Sequence, residues 1–252
     1  MWPLEMRGHE IFLIKTSFGW GSEMTLAKKH LYILLFLSCF CSKMTFSDVY
    51  YNNPTQDSLW EEYGYNLSLK EMEEGVDQGS ARYEYLLGEL YLNGLDVFHI
   101  SPDYEKALEL LESSWESSGV DAGYSLFKIY YDGLGVDVNY DAAFQYLKES
   151  AEMGCTLSQR SLGDAYGGYQ YNEIAEEDYG KALFWYQRAI DQGDQFSARA
   201  LAQLYHEGKG VEQSDEKAFK WLLRSGQLKY GDPTDSFQML AKLYEEGIGT
   251  DI

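Results

Sequence analysis

The chain of 252 residues carries 41 acidic against 20 basic residues, which gives a formal net charge of −21 at neutral pH. Such an acidic surface repels phosphate backbones and anionic lipid, so the composition argues against a protein that binds nucleic acid. Three cysteines, two of them inside one apolar run near the N-terminus, are too few for a disulfide framework. We therefore expect packing alone to hold the fold, with Cys155 buried at a helix end.

Residues 1–43 differ in pattern from the rest of the chain. Basic residues at Lys28 and Lys29 precede an apolar run of 11 residues, Leu31–Cys41, and this order is typical of a bacterial secretory signal. The run is too short to cross a bilayer, which takes about 20 residues, so no membrane span is predicted. We predict a signal peptide translated from Met24 and export to the periplasm or the medium. A buried helix is the alternative interpretation.

The site at which this signal is processed has two interpretations. Cys39 or Cys41 can stand before Ser42 in a small-x-small cleavage site, which predicts simple removal of the signal. The residues Phe36–Cys39 also resemble a bacterial lipoprotein box, which would place a lipid anchor on Cys39.

Residues 44–79 form a lead-in to the main pattern. Residues 44–57 are polar and rich in tyrosine, and two short helical patterns follow at Leu59–Tyr63 and Asn66–Glu74, the second closed by Gly75 and capped by Asn66 or Ser68. End repeats are atypical because one of their faces has no neighbour. We predict a degenerate repeat that caps the N-terminal end of an array.

A near-constant period organises the chain from residue 80 onward. Tyrosines separated by 39, 36, 39 and 39 residues mark a common register, namely Tyr91, Tyr130, Tyr166, Tyr205 and Tyr244. A leucine stands four residues before each of these register tyrosines, and an apolar residue stands directly before each. These positions fall on one buried helical stripe. A glycine three residues after four of the tyrosines suits a left-handed helix end.

A second helix follows in each of four repeats. Its marker is an alanine with apolar residues three and four positions later and a small residue seven positions later, at Ala107, Ala143, Ala182 and Ala218. Four residues before each alanine stands a residue that commonly caps a helix N-terminus, namely Asp103, Asn139, Asp178 or Ser214. Each repeat is therefore predicted to be a helical hairpin.

The combined pattern resembles the Sel-one-like repeat (SLR), a relative of the tetratricopeptide repeat (TPR). The best copies are LAQLYHEGKGV at 201–211 and DYGKALFWYQRAIDQG at 178–193. The resemblance implies an all-α fold, a right-handed α-α superhelical solenoid of helix-turn-helix SLR/TPR-like repeats. It covers residues 80–252 with about four full repeats and a half.

Repeats two and three depart from the family pattern. Phe127 stands where the pattern has glycine, and Tyr169 stands where it has the glycine that ends the first helix, although Gly168 is adjacent. Repeat three also has a longer acidic loop, Asn172–Glu177. We expect these loops to differ in shape.

Catalytic and metal-binding patterns are weak in this sequence. None of the four histidines has a second ligand at helical spacing, and the chain turns at Gly208 directly after His206 and Glu207. The segment Asp137–Asp141 has the opening of a calcium loop but lacks its glycine and its final glutamate. We predict a protein that is not an enzyme and has no cofactor or metal.

A binding surface is better supported than a catalytic one. The resemblance places the first helices of the repeats on the concave surface, and we predict that residues opposite their buried stripe form a groove for a protein or peptide partner. Arginine forks and tyrosine rings suit an extended segment or chain terminus that bears carboxylates. The predicted contact residues are Tyr85, Tyr124, Lys128, Tyr131, Arg160, Arg199, Gln203, His206 and Lys242.

The sequence therefore favours an exported, non-enzymatic scaffold or adaptor. The SLR resemblance implies adaptor roles in signalling, envelope assembly or host–microbe contact. One alternative is a beta-lactamase-like hydrolase of the SLR class, although those proteins are rich in paired cysteines. Another is a truncated, non-functional gene product, because Ile252 falls where the second helix of repeat five is expected to begin. The half-repeat at that end is otherwise expected to support self-association.

Overall fold

The computed structural model describes residues 68–94, 101–228, 234–245 and 247. Within these residues the backbone forms α-helices and no strand. The helices are α1 (Leu69–Asp77), α2 (Ala81–Asn93), α3 (Tyr104–Glu116), α4 (Ala122–Asp132), α5 (Tyr140–Met153), α6 (Thr156–Tyr166), α7 (Tyr179–Asp191), α8 (Gln195–Glu207), α9 (Asp215–Ser225) and α10 (Thr234–Glu245).

The predicted signal segment, the start at Met24 and the lipid site at Cys39 lie outside the described residues, as does the lead-in up to residue 67. Of the helices that are described, none combines the length and the apolar character that a bilayer crossing requires.

The helices pair as hairpins and the hairpins stack in chain order. The pairs α2/α3, α4/α5, α6/α7 and α8/α9 make the most extensive contacts, and the second helix of each pair also packs on the first helix of the next. The helix α10 packs on α9 as the first helix of a fifth repeat. The predicted all-α stack of helix-turn-helix repeats is therefore confirmed.

The second helices begin at the predicted caps. The side chains of Asp103, Asn139, Asp178 and Ser214 each accept a hydrogen bond from the amide three residues later, at 3.2, 3.0, 3.1 and 3.3 Å. The backbone amide of each cap also donates to the carbonyl of the register tyrosine of its own repeat, at 2.8 Å in all four repeats. One polar residue thus starts the second helix and ties it to the end of the first.

A lysine covers the register tyrosine in three of the repeats. The ammonium lies 5.0, 4.8 and 5.3 Å from the ring centroid in the pairs Lys106–Tyr91, Lys181–Tyr166 and Lys217–Tyr205. Repeat two has Ala142 at the lysine position, and there the ring of Tyr130 stacks on Tyr146 with centroids 5.6 Å apart. In each of the four hairpins, therefore, a side chain of the second helix contacts the register tyrosine of the first helix.

Glycine ends the first helices as the sequence predicts. Gly133 and Gly208 cap α4 and α8 in the left-handed conformation, each with φ of 70°. In repeat three the left-handed residue is Gly168, with φ of 69°, so the glycine adjacent to Tyr169 takes over the role. A residue with a Cβ is strained in this conformation.

The predicted stripe forms the core. The leucines four residues before the register tyrosines are each at most 5% exposed: Leu87, Leu126, Leu162, Leu201 and Leu240. Small residues stand where helices approach closely, since the Ser225 and Ser236 hydroxyls of α9 and α10 lie 2.5 Å apart. Gly163 is close-packed as well, because a Cβ there would lie 2.4 Å from the ring of Tyr186.

Two smaller predictions concern helix ends. Ser68 caps α1 in a reciprocal box with Glu71, and α1 packs on α2 but runs through Gly75 to Asp77 rather than closing at Gly75. Cys155 is buried at the N-cap of α6, as predicted, and burial raises the pKa of its thiol. A thiol of this kind is poorly nucleophilic, which fits a packing role.

Candidate functional site

A pocket of about 410 Å³ lies where the first helices of repeats two, three and four meet the loop of repeat three. Its walls come from α4, α6, α8 and residues 169–171. The lining residues are Tyr124, Arg160, Ser161, Asp164, Tyr169, Gln170, Tyr171, Phe196, Arg199, Ala200 and Gln203. Four of the nine predicted contact residues are among them, namely Tyr124, Arg160, Arg199 and Gln203.

The repeat register explains why these side chains meet. Tyr124, Arg160 and Arg199 each stand six residues before a register tyrosine, in repeats two, three and four. Equivalent positions of stacked repeats lie side by side, so three residues far apart in sequence share one wall.

Both pocket arginines are already engaged by aspartates at the N-terminal end of the next repeat's first helix. Arg160 donates from Nη1 to Oδ1 of Asp194 at 3.2 Å, and Arg199 pairs with Asp235 of α10. Asp194 also caps α8, because its Oδ2 accepts from the amide of Ser197 at 2.8 Å. The arginines predicted to hold carboxylates of a partner therefore hold carboxylates of this chain.

The two ion pairs differ sharply in burial. The side chains of Arg160 and Asp194 are 17% and 1% exposed, whereas those of Arg199 and Asp235 are 28% and 62% exposed. Removing one partner of a buried pair costs about 3–5 kcal/mol, whereas an exposed pair contributes about 0–1 kcal/mol. The Arg160 pair is a fixed part of the fold, and the Arg199 pair is one that solvent or a ligand can separate.

Phe196 stands between the two arginines. The guanidinium carbons of Arg160 and Arg199 lie 4.9 and 5.3 Å from its ring centroid. Cation–ring contacts of this kind hold the planar guanidinium groups in place. The ring thus orients both cations along the pocket wall.

Asp164 is the acidic side chain of the pocket. Burial raises the pKa of its carboxyl to about 6, against the opposing effects of the hydrogen bond from Tyr186 and the charge of Arg160. The Tyr186 hydroxyl donates to Oδ1 of Asp164 at 2.7 Å, and the charge of Asp194 adds to the upward shift. The carboxyl of Asp164 therefore changes charge between mildly acidic and neutral pH.

The loop of repeat three closes one side of the pocket. Tyr171, in the left-handed region with φ of 58°, sets its ring edge-on against Phe127 of α4 at 5.0 Å. The same ring lies edge-on to Tyr131 at 5.1 Å, and the Tyr131 hydroxyl donates to Glu173 at 2.6 Å. Two of the three departures from the repeat pattern, Phe127 and the longer acidic loop, thus form a single structure with Tyr171, which directly precedes that loop.

The other five predicted residues lie outside the pocket lining. The prediction is wrong for Tyr85, which is only 3% exposed. Its side chain lies in the same hydrophobic cluster as Met72 of α1. The ring of His206 turns toward α9, where Nδ1 lies 2.6 Å from Oδ1 of Asp215. Tyr131 belongs to the loop contacts, Lys128 is half-buried, and Lys242 is exposed on α10.

Several pocket residues were not predicted. Asp164 stands two residues before its register tyrosine, on the helix face that supplied the prediction, and Phe196 lies in the first turn of α8. Tyr169 and Tyr171 directly precede the longer acidic loop, where a cluster of tyrosines is the only signal in the sequence. The hydroxyl of Tyr169 is buried and has no hydrogen-bond partner within the described residues.

Comparison with known proteins agrees with the repeat pattern. A sequence model of the family described as Sel1 repeat matches residues 81–114, 120–155, 157–194 and 196–230. The Sel1-repeat-containing protein YjcO of Escherichia coli strain K12 is 29% identical over 129 residues, which are 48% of this chain and 53% of YjcO. The chain thus spans about half the length of the curated relatives it matches.

Solved structures with an SLR fold are also similar to this one. The protein c5321, a protective antigen present in uropathogenic Escherichia coli strains, aligns with a TM-score of 0.62 and 29% identity over 72% of this chain and 37% of that protein. A Sel1 repeat protein from Oxalobacter formigenes aligns with a TM-score of 0.61 and 21% identity over 71% of this chain and 69% of that protein, which shows the fold alone. With more than half of its residues matched by the family, the chain belongs to the Sel1 repeat family.

Proposed function

We propose that this protein is an exported, non-enzymatic scaffold that binds a segment of a partner protein in the pocket between α4, α6 and α8. Repeats of this family generally mediate protein–protein interaction. The observation that carries the proposal is the pocket itself, which collects equivalent positions of three consecutive repeats into one concave site of about 410 Å³.

The chemistry of the pocket suits a short peptide segment. Its volume falls within the range of about 300–1,000 Å³ that is usual for ligand pockets. Tyrosine rings supply contact area at low entropic cost, and the amides of Gln170 and Gln203 can hydrogen-bond to a peptide backbone. The loop with Tyr171 closes one side, so the site accepts a chain end or a few residues rather than a long strand.

Export is the second part of the proposal. It rests on the basic residues before the apolar run Leu31–Cys41. Fractionation of cells that express the full chain, followed by mass spectrometry of its N-terminus, is the test. A protein recovered from the periplasm or the medium with the run removed supports export, and a protein that keeps the run Leu31–Cys41 in the cytoplasm contradicts it.

The binding proposal is tested by proximity labelling and pull-down with two matched variants. Phe196→Ala removes the ring that orders both pocket arginines, whereas Phe184→Ala removes a ring that is 53% exposed on α7, outside the pocket lining. We expect the first variant to lose its specific partner and the second to retain it. Equal recovery of the same partner by both variants would contradict a binding site in the pocket.

A further inference from the structure

One of the two pocket arginines is held by a replaceable carboxylate. Asp194 is buried and fixed by its bond to the first turn of α8, so its pair with Arg160 stays closed. Asp235 is 62% exposed in the first turn of α10 and lies outside the pocket lining, whereas its partner Arg199 is one of the lining residues. The chain's own carboxylate thus marks the position and the chemistry of a ligand group that Arg199 can accept.

We infer that the pocket binds an acidic peptide segment of the partner, whose carboxylate takes the place of Asp235 on Arg199. This inference rests on the proposed function and adds the class of ligand and the residue that recognises it. A guanidinium presents several donors in a plane and suits a carboxylate in a bidentate pair. An exposed aspartate competes only weakly for those donors, because it loses little free energy when water replaces the arginine as its partner.

The neighbouring groups fit a carboxylate that carries an apolar side chain. The ring of Phe196 keeps the Arg199 guanidinium in place, 5.3 Å from its centroid. The rings of Tyr124 and Tyr171 line the same space and offer surface to an apolar side chain. Together they form one cationic contact within an aromatic enclosure.

Asp164 makes this exchange sensitive to pH. Its carboxyl has a pKa raised to about 6 by burial. The groups that act on it are Arg160 on α6, the Tyr186 hydroxyl on α7, Asp194 at the N-cap of α8, Arg199 on α8, and Tyr169 and Tyr171 after α6. An ionised Asp164 repels an incoming carboxylate, whereas a protonated one does not. Binding of an acidic segment should therefore strengthen as the pH falls from 7.5 to about 5.5.

The probes are three pools of N-acetylated hexapeptides offered to the immobilised full chain and read by mass spectrometry. One pool is acidic with a C-terminal carboxylate, one is neutral and C-amidated, and one is basic and C-amidated. We expect selective retention of the acidic pool, more strongly at pH 5.5 than at pH 7.5. Preferential retention of the basic pool would overturn the inference, because it would show that the acidic surface or Asp164, and not Arg199, decides which peptides are retained.

Three variants then test the exchange on the best acidic peptide by fluorescence polarisation. Arg199→Gln should weaken binding by at least about tenfold, since it removes charge-assisted hydrogen bonds. Asp235→Asn should strengthen binding by about two- to fivefold, since it removes the competitor. Arg188→Gln, an exposed arginine of α7 that lies over Phe184 and Trp185, is the matched control and should leave the affinity unchanged.

The outcomes separate this inference from the proposed function. If the neutral pool binds as well as the acidic pool and Phe196→Ala abolishes both, the pocket is a binding site but the carboxylate inference is wrong. If Asp235→Asn weakens binding, Asp235 supports the site rather than competing for it, and the exchange is wrong. Retention of no pool would contradict the inference and the proposed pocket together.

Discussion

Asp164→Asn provides a direct test of the electrostatics at the pocket. Burial raises the pKa of the Asp164 carboxyl from its ordinary 3.8 to about 6. Between these two values the folded protein binds more protons at this residue than the unfolded chain does. The free energy of unfolding therefore falls as the pH rises from about 4 to about 6, and this part of the stability stays lost at neutral pH. Asparagine has no charge to bury, so the variant escapes the loss.

The magnitude follows from the size of the shift. One pKa unit corresponds to about 1.4 kcal/mol, so a rise from 3.8 to about 6 sets an upper limit of about 3 kcal/mol. Asp164 is half-buried at the pocket, where solvent screens part of the effect, and asparagine loses its attraction to Arg160. The window from pH 4.5 to pH 7.5 covers about two thirds of that limit, so we expect Asp164→Asn to gain about 1–2 kcal/mol relative to the unmodified protein over this range.

The assay is urea unfolding followed by circular dichroism at pH 4.5, 6 and 7.5. Asp191→Asn, at an exposed position of α7, is the control because it removes one negative charge without touching the pocket. Its difference from the unmodified protein should change little over this range. If the stability difference of Asp164→Asn is the same at pH 4.5 and pH 7.5, the reasoning about its buried carboxyl is refuted.

Three further changes test the packing and the ion pairs by urea unfolding or proteolysis. Gly163→Ala should cost about 1–3 kcal/mol, because its Cβ would lie 2.4 Å from the ring of Tyr186, and wild-type stability would contradict that contact. Asp194→Ala should lower the free energy of unfolding by about 3–5 kcal/mol for the broken pair with Arg160 and by about 1 kcal/mol for the lost cap. Asp194→Asn should keep the cap, so equal losses of stability in the two variants would argue against the capping role. Tyr171→Ala should speed cleavage of the repeat-three loop by a glutamyl endopeptidase several-fold, since each ring contact that it removes contributes about 0.5–1.5 kcal/mol. An unchanged rate of cleavage would show that these contacts do not hold the loop.

The hairpins were predictable because their signals are local. A cap such as Asp103 acts on an amide three residues away, and Gly133 ends its helix through its own backbone conformation. The leucine stripe needs only the helical period. Each signal repeats in four or five copies, so that the departure of one repeat does not obscure the pattern.

The electrostatics of the pocket were less accessible because they depend on contacts between repeats. Arg160 and Asp194 are 34 residues apart, and Arg199 and Asp235 are 36 residues apart. Both separations are close to one repeat period, so the register does indicate that the residues are neighbours in the stack. It does not indicate which rotamers these side chains adopt. The arginines were therefore predicted to bind carboxylates of a partner, whereas in the structure they bind aspartates of the same chain.

The burial of Tyr85, which the sequence did not predict, has a similar cause. Tyr85 and Tyr124 occupy the same register position in repeats one and two, yet one lies in the core and the other lines the pocket. The first described helix, α1, packs on α2, and Met72 shares a hydrophobic cluster with Tyr85. A register position predicts a helix face, but the neighbouring element decides whether that face is exposed.

The balance of charge at the pocket bears on how a strongly acidic protein recognises a partner. Each pocket arginine is matched by an aspartate at the start of the next repeat's first helix, so the site presents no large positive field despite its two guanidinium groups. Affinity for an acidic segment therefore cannot come from long-range attraction, which the net charge of −21 opposes. The affinity has to come from short-range contacts. In the proposed site, Phe196 and the loop with Tyr171 shape the pocket, and Arg199 exchanges the carboxylate of Asp235 for that of the ligand. In the proposed exchange the ligand is selected by its fit, and its release as the pH rises follows from repulsion by ionised Asp164.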